Sequence, residues 1–151
     1  MEALSSVDEI LDFAIGQEEE AARFYSDLAQ RTEKLGMRKA LEGYADEELG
    51  HKAKLLAIKE GRLLQPVEKE ILDLKLAESF VDVEASPDMD YQAALTVAMQ
   101  REKVAFKMYS DLAAITEDET ARATLLALAQ EEANHKLRFE LEYDERILTE
   151  N

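Results

Sequence analysis

The chain has 151 residues, 46% of them hydrophobic, with 5 Gly and 2 Pro; this is a length for one domain (1–151), and the composition excludes a disordered acidic tail, a collagen-like chain and a many-turned β fold. Cys is absent, which rules out disulfides, thiolate zinc sites, iron–sulfur clusters and a cysteine nucleophile, and fits a reducing cytoplasm. Acidic residues outnumber basic ones 34 to 18, for a net charge of −16, so nucleic acid and anionic membrane repel the chain and cations attract it.

The start, MEALSSVDEI, has neither a basic nor an apolar leader segment, so no signal peptide is expected. No apolar run approaches 18 residues, so no membrane span is expected and the cytoplasm is the expected location. Four long stretches then carry helical periodicity. The first runs from about Val7 to Leu35, with Ser6 and Glu9 spaced as a capping box and Gly36 as a stop. The second runs from about Met37 to Ile58, ending near Gly61. Residues 62–89 hold both prolines and a short apolar–acidic piece, Ile71–Leu76; they read as one crossover connection, long enough to run the length of a bundle. The third helix starts near Asp90 and reaches about Ile115, and the fourth follows Thr116, with Glu119 three residues on, and reaches about Ile147. Helices one and two have almost no connector, nor do three and four. The expected fold is therefore all-α: a four-helix bundle of two helical hairpins, 7–60 and 90–147, joined by the crossover.

The chain also repeats itself. At a shift of 84 positions, 18 of the 42 residues from Leu11 to Lys52 are identical. Tyr25-Ser26-Asp27-Leu28-Ala29 falls on Tyr109-Ser110-Asp111-Leu112-Ala113, and Glu47-Glu48 with His51-Lys52 falls on Glu131-Glu132 with His135-Lys136. Such a repeat describes two hairpins packed about a pseudo-two-fold axis.

Each helix has a seam at 3- and 4-residue spacing. Helix one gives Leu11, Ala14, Glu18, Ala21, Tyr25 and Leu28. Helix two gives Leu41, Tyr44, Glu48, His51, Leu55 and Ile58. Helix three gives Leu95, Ala98, Glu102, Ala105, Tyr109 and Leu112, and helix four Leu125, Leu128, Glu132, His135 and Phe139. Every seam is apolar except at its middle, where a Glu intrudes, followed in helices two and four by a His three residues later. Residues three apart lie about 60° apart around a helix and about 4.5 Å along it, so both reach one point. Four core carboxylates repel one another and are costly to bury, and no seam position supplies Lys or Arg. Two divalent cations balance them, and one Glu from each of two helices plus Glu-x-x-His from each of the other two is the arrangement of di-metal carboxylate bundles. The chain has 2 His, and both fall in this pattern.

The repeat selects Glu18 from Glu18-Glu19-Glu20, because only Glu18 meets a Glu, Glu102, in the other half. It does not separate Glu47 from Glu48. Seam register favours Glu48 and Glu132, leaving Glu47 and Glu131 as partners of the histidines or as surface charge. Tyr25 and Tyr109, two turns beyond the seam glutamates, are placed to hydrogen-bond a ligand carboxylate across the bundle, or to serve as core aromatics satisfied elsewhere. Met99, Met108, Phe13, Phe24 and Phe106 read as core packing. Oxygen-rich ligands with imidazole suit Fe or Mn, with Zn able to occupy the same site.

The segments Ala14 to Tyr25, Asp46 to His51, Arg101 to Tyr109 and Gln130 to His135 resemble the helix motifs of the rubrerythrin branch of the ferritin-like superfamily. The resemblance implies a ferritin-like bundle with a di-iron centre, and commonly a homodimer. It implies that Glu48 and Glu132 bridge two iron ions, that Glu18 and Glu102 are terminal, and that His51 and His135 each bind one. Two departures stand out. Full rubrerythrins carry a four-cysteine rubredoxin-like domain, whereas this sequence has no Cys, so an external electron donor is expected. Many also have a further carboxylate one turn after the third-helix Glu, where this chain has Ala105 beside Val104. The implied function is a non-haem di-iron oxidoreductase acting on hydrogen peroxide or dioxygen, with Tyr25 and Tyr109 as proton-delivering catalytic residues. Iron binding or ferroxidation for storage or transfer is the alternative, and a non-enzymatic metal-bound interaction module the third reading.

Overall fold

The computed structural model describes residues 7–63 and 89–150, with side chains to residue 146. Ser6 of the expected capping box, and residues 64–88 of the expected crossover with Ile71–Leu76, lie outside the described residues. Four helices make up the described chain: α1 Val7–Arg31, α2 Leu35–Glu60, α3 Tyr91–Ile115 and α4 Glu119–Glu150. No strand occurs among the described residues. The fold is the expected all-α four-helix bundle, with α1 packed along α2 and α3 along α4. No helix among the described residues is long and apolar enough to cross a membrane.

The hairpin turns differ from the sequence expectation. α1 stops at Arg31, not near Gly36, and Gly36 lies inside the first turn of α2. The stop is made at Thr32, whose Oγ1 donates to the Leu28 carbonyl at 2.6 Å. Arg38 then reaches back from α2 with Nε and Nη2 to the Thr32 carbonyl, at 3.1 and 2.8 Å. The second hairpin repeats the device: Thr116 Oγ1 donates to the Leu112 carbonyl, and Arg122 binds the Thr116 carbonyl. Thr116 is therefore the C-cap of α3, not the N-cap of α4. The cap of α4 is Asp118, whose carboxylate accepts from the Ala121 N–H at 2.8 Å, satisfying an otherwise unpaired first-turn donor. Asp90 caps α3 in the same way, through Ala93 N–H at 2.7 Å. α2 ends in a Schellman turn, with Leu63 N–H on the Ile58 carbonyl and Arg62 N–H on that of Lys59. The left-handed residue there is Arg62, φ 50°, while Gly61 stays right-handed.

The seams fill the core in two apolar clusters. One gathers Ile10, Leu11, Leu55, Ile58, Tyr109, Leu112, Leu125 and Leu128. The other gathers Tyr25, Leu28, Met37, Leu41, Leu95 and Phe139. Between them each helix contributes its polar seam residues, so the carboxylates and imidazoles form a layer closed off at both ends by hydrocarbon. Among the residues expected in the core, Met108 is buried, but Phe106 is 43% exposed. Its position on α3 faces outward, one residue off the seam.

Candidate metal centre

Glu18, Glu48, His51, Glu102, Glu132 and His135 are each at most 2% exposed. A charged group is almost never so buried without a partner. Two overlapping groups form: Glu18, Glu48, His51 and Glu132, and Glu48, Glu102, Glu132 and His135; within each, one ligand atom per residue lies within 4.8 Å of the others. Glu48 and Glu132 belong to both. The His51 Nδ1 lies 3.0 Å from Glu132, 3.3 Å from Glu48 and 3.4 Å from Glu18. The His135 Nδ1 lies 3.5 Å from Glu48, 3.6 Å from Glu102 and 3.8 Å from Glu132. The two imidazole rings are nearly parallel, 11° apart with centroids 6.3 Å apart.

Despite these short distances, one atom on each of the six groups has no hydrogen bond: Glu18 Oε2, Glu48 Oε1, His51 Nδ1, Glu102 Oε2, Glu132 Oε1 and His135 Nδ1. Six inward-facing polar atoms without hydrogen-bond partners are costly as they stand. They are the donor set that divalent cations require, four carboxylates and two imidazole nitrogens, so these residues fit a metal pair.

The remaining atoms of the six groups are held from outside. Tyr109 donates to Glu18 Oε1, and Tyr25 to Glu102 Oε1, each crossing from one hairpin to the other. Of the two placements expected for the tyrosines, the carboxylate bond across the bundle is the one present. Glu131 pairs with His51 Nε2 and Glu47 with His135 Nε2. Both pairings also cross: each acid holds the histidine of the other hairpin, not the one on its own helix. Glu47 and Glu131 are thus partners of the histidines, with about half of each side chain still exposed. The other acids of the first helix point elsewhere. Glu19 pairs with Lys52 at 2.8 Å, and Glu20 is exposed.

The electrostatics follow from this packing. Burial pushes Glu18 up to about 7, against the opposing pull of His51. Burial and the neighbouring carboxylates Glu102 and Glu48 push Glu132 well up, and burial raises Glu102. Burial also opposes the charge of Glu48, but His51, Glu132 and the charge of both imidazoles outweigh it and hold Glu48 below its ordinary value. Burial disfavours charged histidines, yet Glu18 and Glu48 bring His51 up to about 10, and Glu102 and Glu48 bring His135 up to about 9. Burial, then the adjacent carboxylates, raises both tyrosines well above the usual phenol range. Without metal the centre therefore stores protons, the alternative way to neutralise gathered carboxylates.

Three features escaped the sequence reading. Tyr44, the equivalent of Leu128 under the repeat, lays its ring over His135, with centroids 4.1 Å apart. Its seam position made it a candidate, but its contact was not legible. Glu142 is 5% exposed near the end of α4, 3.4 Å from the Tyr91 hydroxyl and 3.9 Å from Lys34. Finally, a cleft between α1 and α3 reaches Glu18, Glu48, Glu102 and Glu132, with Gln17 and Arg101 on its walls.

The family whose model matches residues 9–143 is described as Rubrerythrin. No curated protein and no solved structure matches the chain.

Proposed function

The chain belongs to the rubrerythrin family, and on that premise we propose that it is a non-haem di-iron oxidoreductase that reduces hydrogen peroxide or dioxygen with electrons from an external donor. The observation that carries this reading is the set of six buried groups, each with one atom lacking a hydrogen bond, in two sets that share Glu48 and Glu132. Glu18 and His51 would complete one metal position, and Glu102 and His135 the other. Two ferrous ions, when bound, supply the two electrons that cleavage of an O–O bond consumes.

The protein's own residues set the conditions for that chemistry. Glu131 and Glu47 accept from the outer imidazole N–H groups, leaving each Nδ1 as the inward lone pair and fixing each ring. Tyr109 and Tyr25 hold one oxygen of Glu18 and Glu102 and leave the other turned inward. When such a carboxylate shifts, its tyrosine follows as a hydrogen-bond donor, and its hydroxyl proton is one transfer from the centre. The two hydrocarbon clusters keep bulk water from both ends of the layer, which strengthens every charge interaction inside it. Reduction of one peroxide takes two electrons and two protons and yields two waters.

A second reading, iron oxidation for storage or transfer, is favoured by one observation, the net charge of −16, which concentrates cations around the protein. Stopped-flow mixing of the anaerobic, Fe²⁺-loaded protein with peroxide and with oxygen separates the two. Much faster oxidation by peroxide is the expected result. Preference for oxygen, followed by uptake of many more irons per chain, would overturn it in favour of the second reading.

A further inference from the structure

The cleft between α1 and α3 is one of the places where the two halves of the chain differ. At the 84-residue shift Glu18 meets Glu102, but the residues just before them, Gln17 and Arg101, differ. Both line the cleft, whose lining also includes the four central carboxylates and the apolar Phe13, Val104 and Ala105. Arg101 is partly exposed, and its guanidinium sits 5.0 Å from the centroid of the Phe24 ring. That cation–π contact across to α1 steadies the side chain of Arg101, which itself lines the cleft. Among the described residues Arg101 forms no ion pair, although the chain as a whole is strongly acidic. The space for the centres of water-sized molecules is about 30 Å³, and one water requires about 10–15 Å³. That space is enough for a molecule as small as hydrogen peroxide.

We propose that this cleft is the path by which a small peroxide reaches the carboxylate centre, and that Arg101 is the specificity-determining residue that receives it there and holds cations off. The proposal rests on the di-iron reading above and names the substrate class of that centre. A guanidinium donates hydrogen bonds, never titrates in this range, and does not accept. Peroxide oxygens accept such bonds, and the negative charge that grows on them as the O–O bond breaks is stabilised by the same group. Dioxygen accepts hydrogen bonds poorly and gains little. A metal dication gains nothing and is repelled. Metals bound at the centre are thereby kept as resident ions instead of passing through as cargo. Overall, the O–O bond of hydrogen peroxide breaks and two O–H bonds form; a reduced di-iron centre would supply the two electrons, and the two protons come from solvent.

The test compares Arg101→Gln, which installs the residue found at the equivalent position of α1, with Arg101→Lys and with Lys103→Gln. Lys103 is exposed on another face of α3, so its removal changes net charge equally without touching the cleft. The oxidised, iron-loaded proteins are titrated with azide, a small anionic probe, followed by visible absorbance. The metal-free proteins are mixed with Co²⁺ to read the loading rate. Arg101→Gln is expected to bind azide about tenfold more weakly, the effect of one nearby charge in a partly screened site, and to load Co²⁺ several-fold faster. Its Fe²⁺ form should react more slowly with peroxide and unchanged with dioxygen, while Arg101→Lys keeps wild-type azide affinity. Azide affinity in Arg101→Gln within about twofold of wild type would overturn the proposal, as would an equal effect of Lys103→Gln or an equal slowing with dioxygen. Iron content by elemental analysis separates the two levels. Two irons in both wild type and Arg101→Gln leave the di-iron reading intact whatever azide does, whereas fewer than two in wild type overturns that reading and this proposal together.

Discussion

Loading the centre with metal should expel protons, and the number follows from the packing of its six groups. At neutral pH the metal-free protein carries a proton on His51, which titrates at about 10, and another on His135, which titrates at about 9. Glu18, at about 7, carries roughly half of another, while burial and the neighbouring carboxylates hold Glu132 well above the ordinary carboxylate range, toward its protonated form. Glu102 is raised as well, whereas Glu48 is lowered and stays ionised. Metal needs every one of these sites deprotonated, so two divalent ions should release more than two protons per chain. Their four positive charges then replace those lost. Adding two equivalents of Mn²⁺ to weakly buffered metal-free protein, with base returned by a pH-stat, counts the protons directly. The apparent affinity should also rise by about a hundredfold or more per pH unit near neutrality, since more than two protons compete with the metal pair. Glu132→Gln should lower the count, because burial and its carboxylate neighbours favour the protonated form of Glu132. Release of fewer than one proton per chain, or an affinity independent of pH, would refute the account of a proton-filled carboxylate layer.

Three further outcomes follow from the same geometry. The chelated protein should melt at progressively lower temperature as pH rises from about 6 to about 10, because Glu18, His51 and His135 bind protons more tightly folded than unfolded, and the stability this confers is lost as pH rises through their folded values; a melting temperature that rises over this range would contradict it. Glu18→Ala and Glu102→Ala should each lose much of the iron affinity, while Glu20→Ala stays within about 0.5 kcal/mol of wild-type stability and binds normally; iron titration of the variants side by side decides, and lost binding in Glu20→Ala with normal binding in Glu18→Ala would show the register wrong. Glu47→Gln and Glu131→Gln should weaken metal binding about 10- to 100-fold, because each loosens the histidine of the opposite hairpin; isothermal titration with Mn²⁺ reads the effect, and wild-type affinity in both would make these acids mere surface charge.

The helices and the polar layer were legible from the chain because both depend on local periodicity. A seam residue recurs every three or four positions whatever the rest of the molecule does, so Glu18, Glu48, His51, Glu102, Glu132 and His135 could be assigned inward faces, and the 84-residue repeat removed the ambiguity among Glu18, Glu19 and Glu20. Periodicity is silent about phase between hairpins. Two helices can slide or rotate against one another without changing any spacing within either, so the crossed pairs were decided only by tertiary packing: Glu131 on His51, Glu47 on His135, Tyr25 on Glu102 and Tyr109 on Glu18. The same reason placed Tyr44 on His135 and Arg101 at the cleft, where the halves diverge in residue type and no repeat could guide the reading. Helix ends failed for a different reason. Gly36 and Thr116 were judged by local preference, but Thr32 and Thr116 close their helices because Arg38 and Arg122 reach back from the following helix to hold their carbonyls. The chain alone thus determines which side chains can face inward, through the pitch of the helix; the docking of one hairpin against the other determines which of them touch.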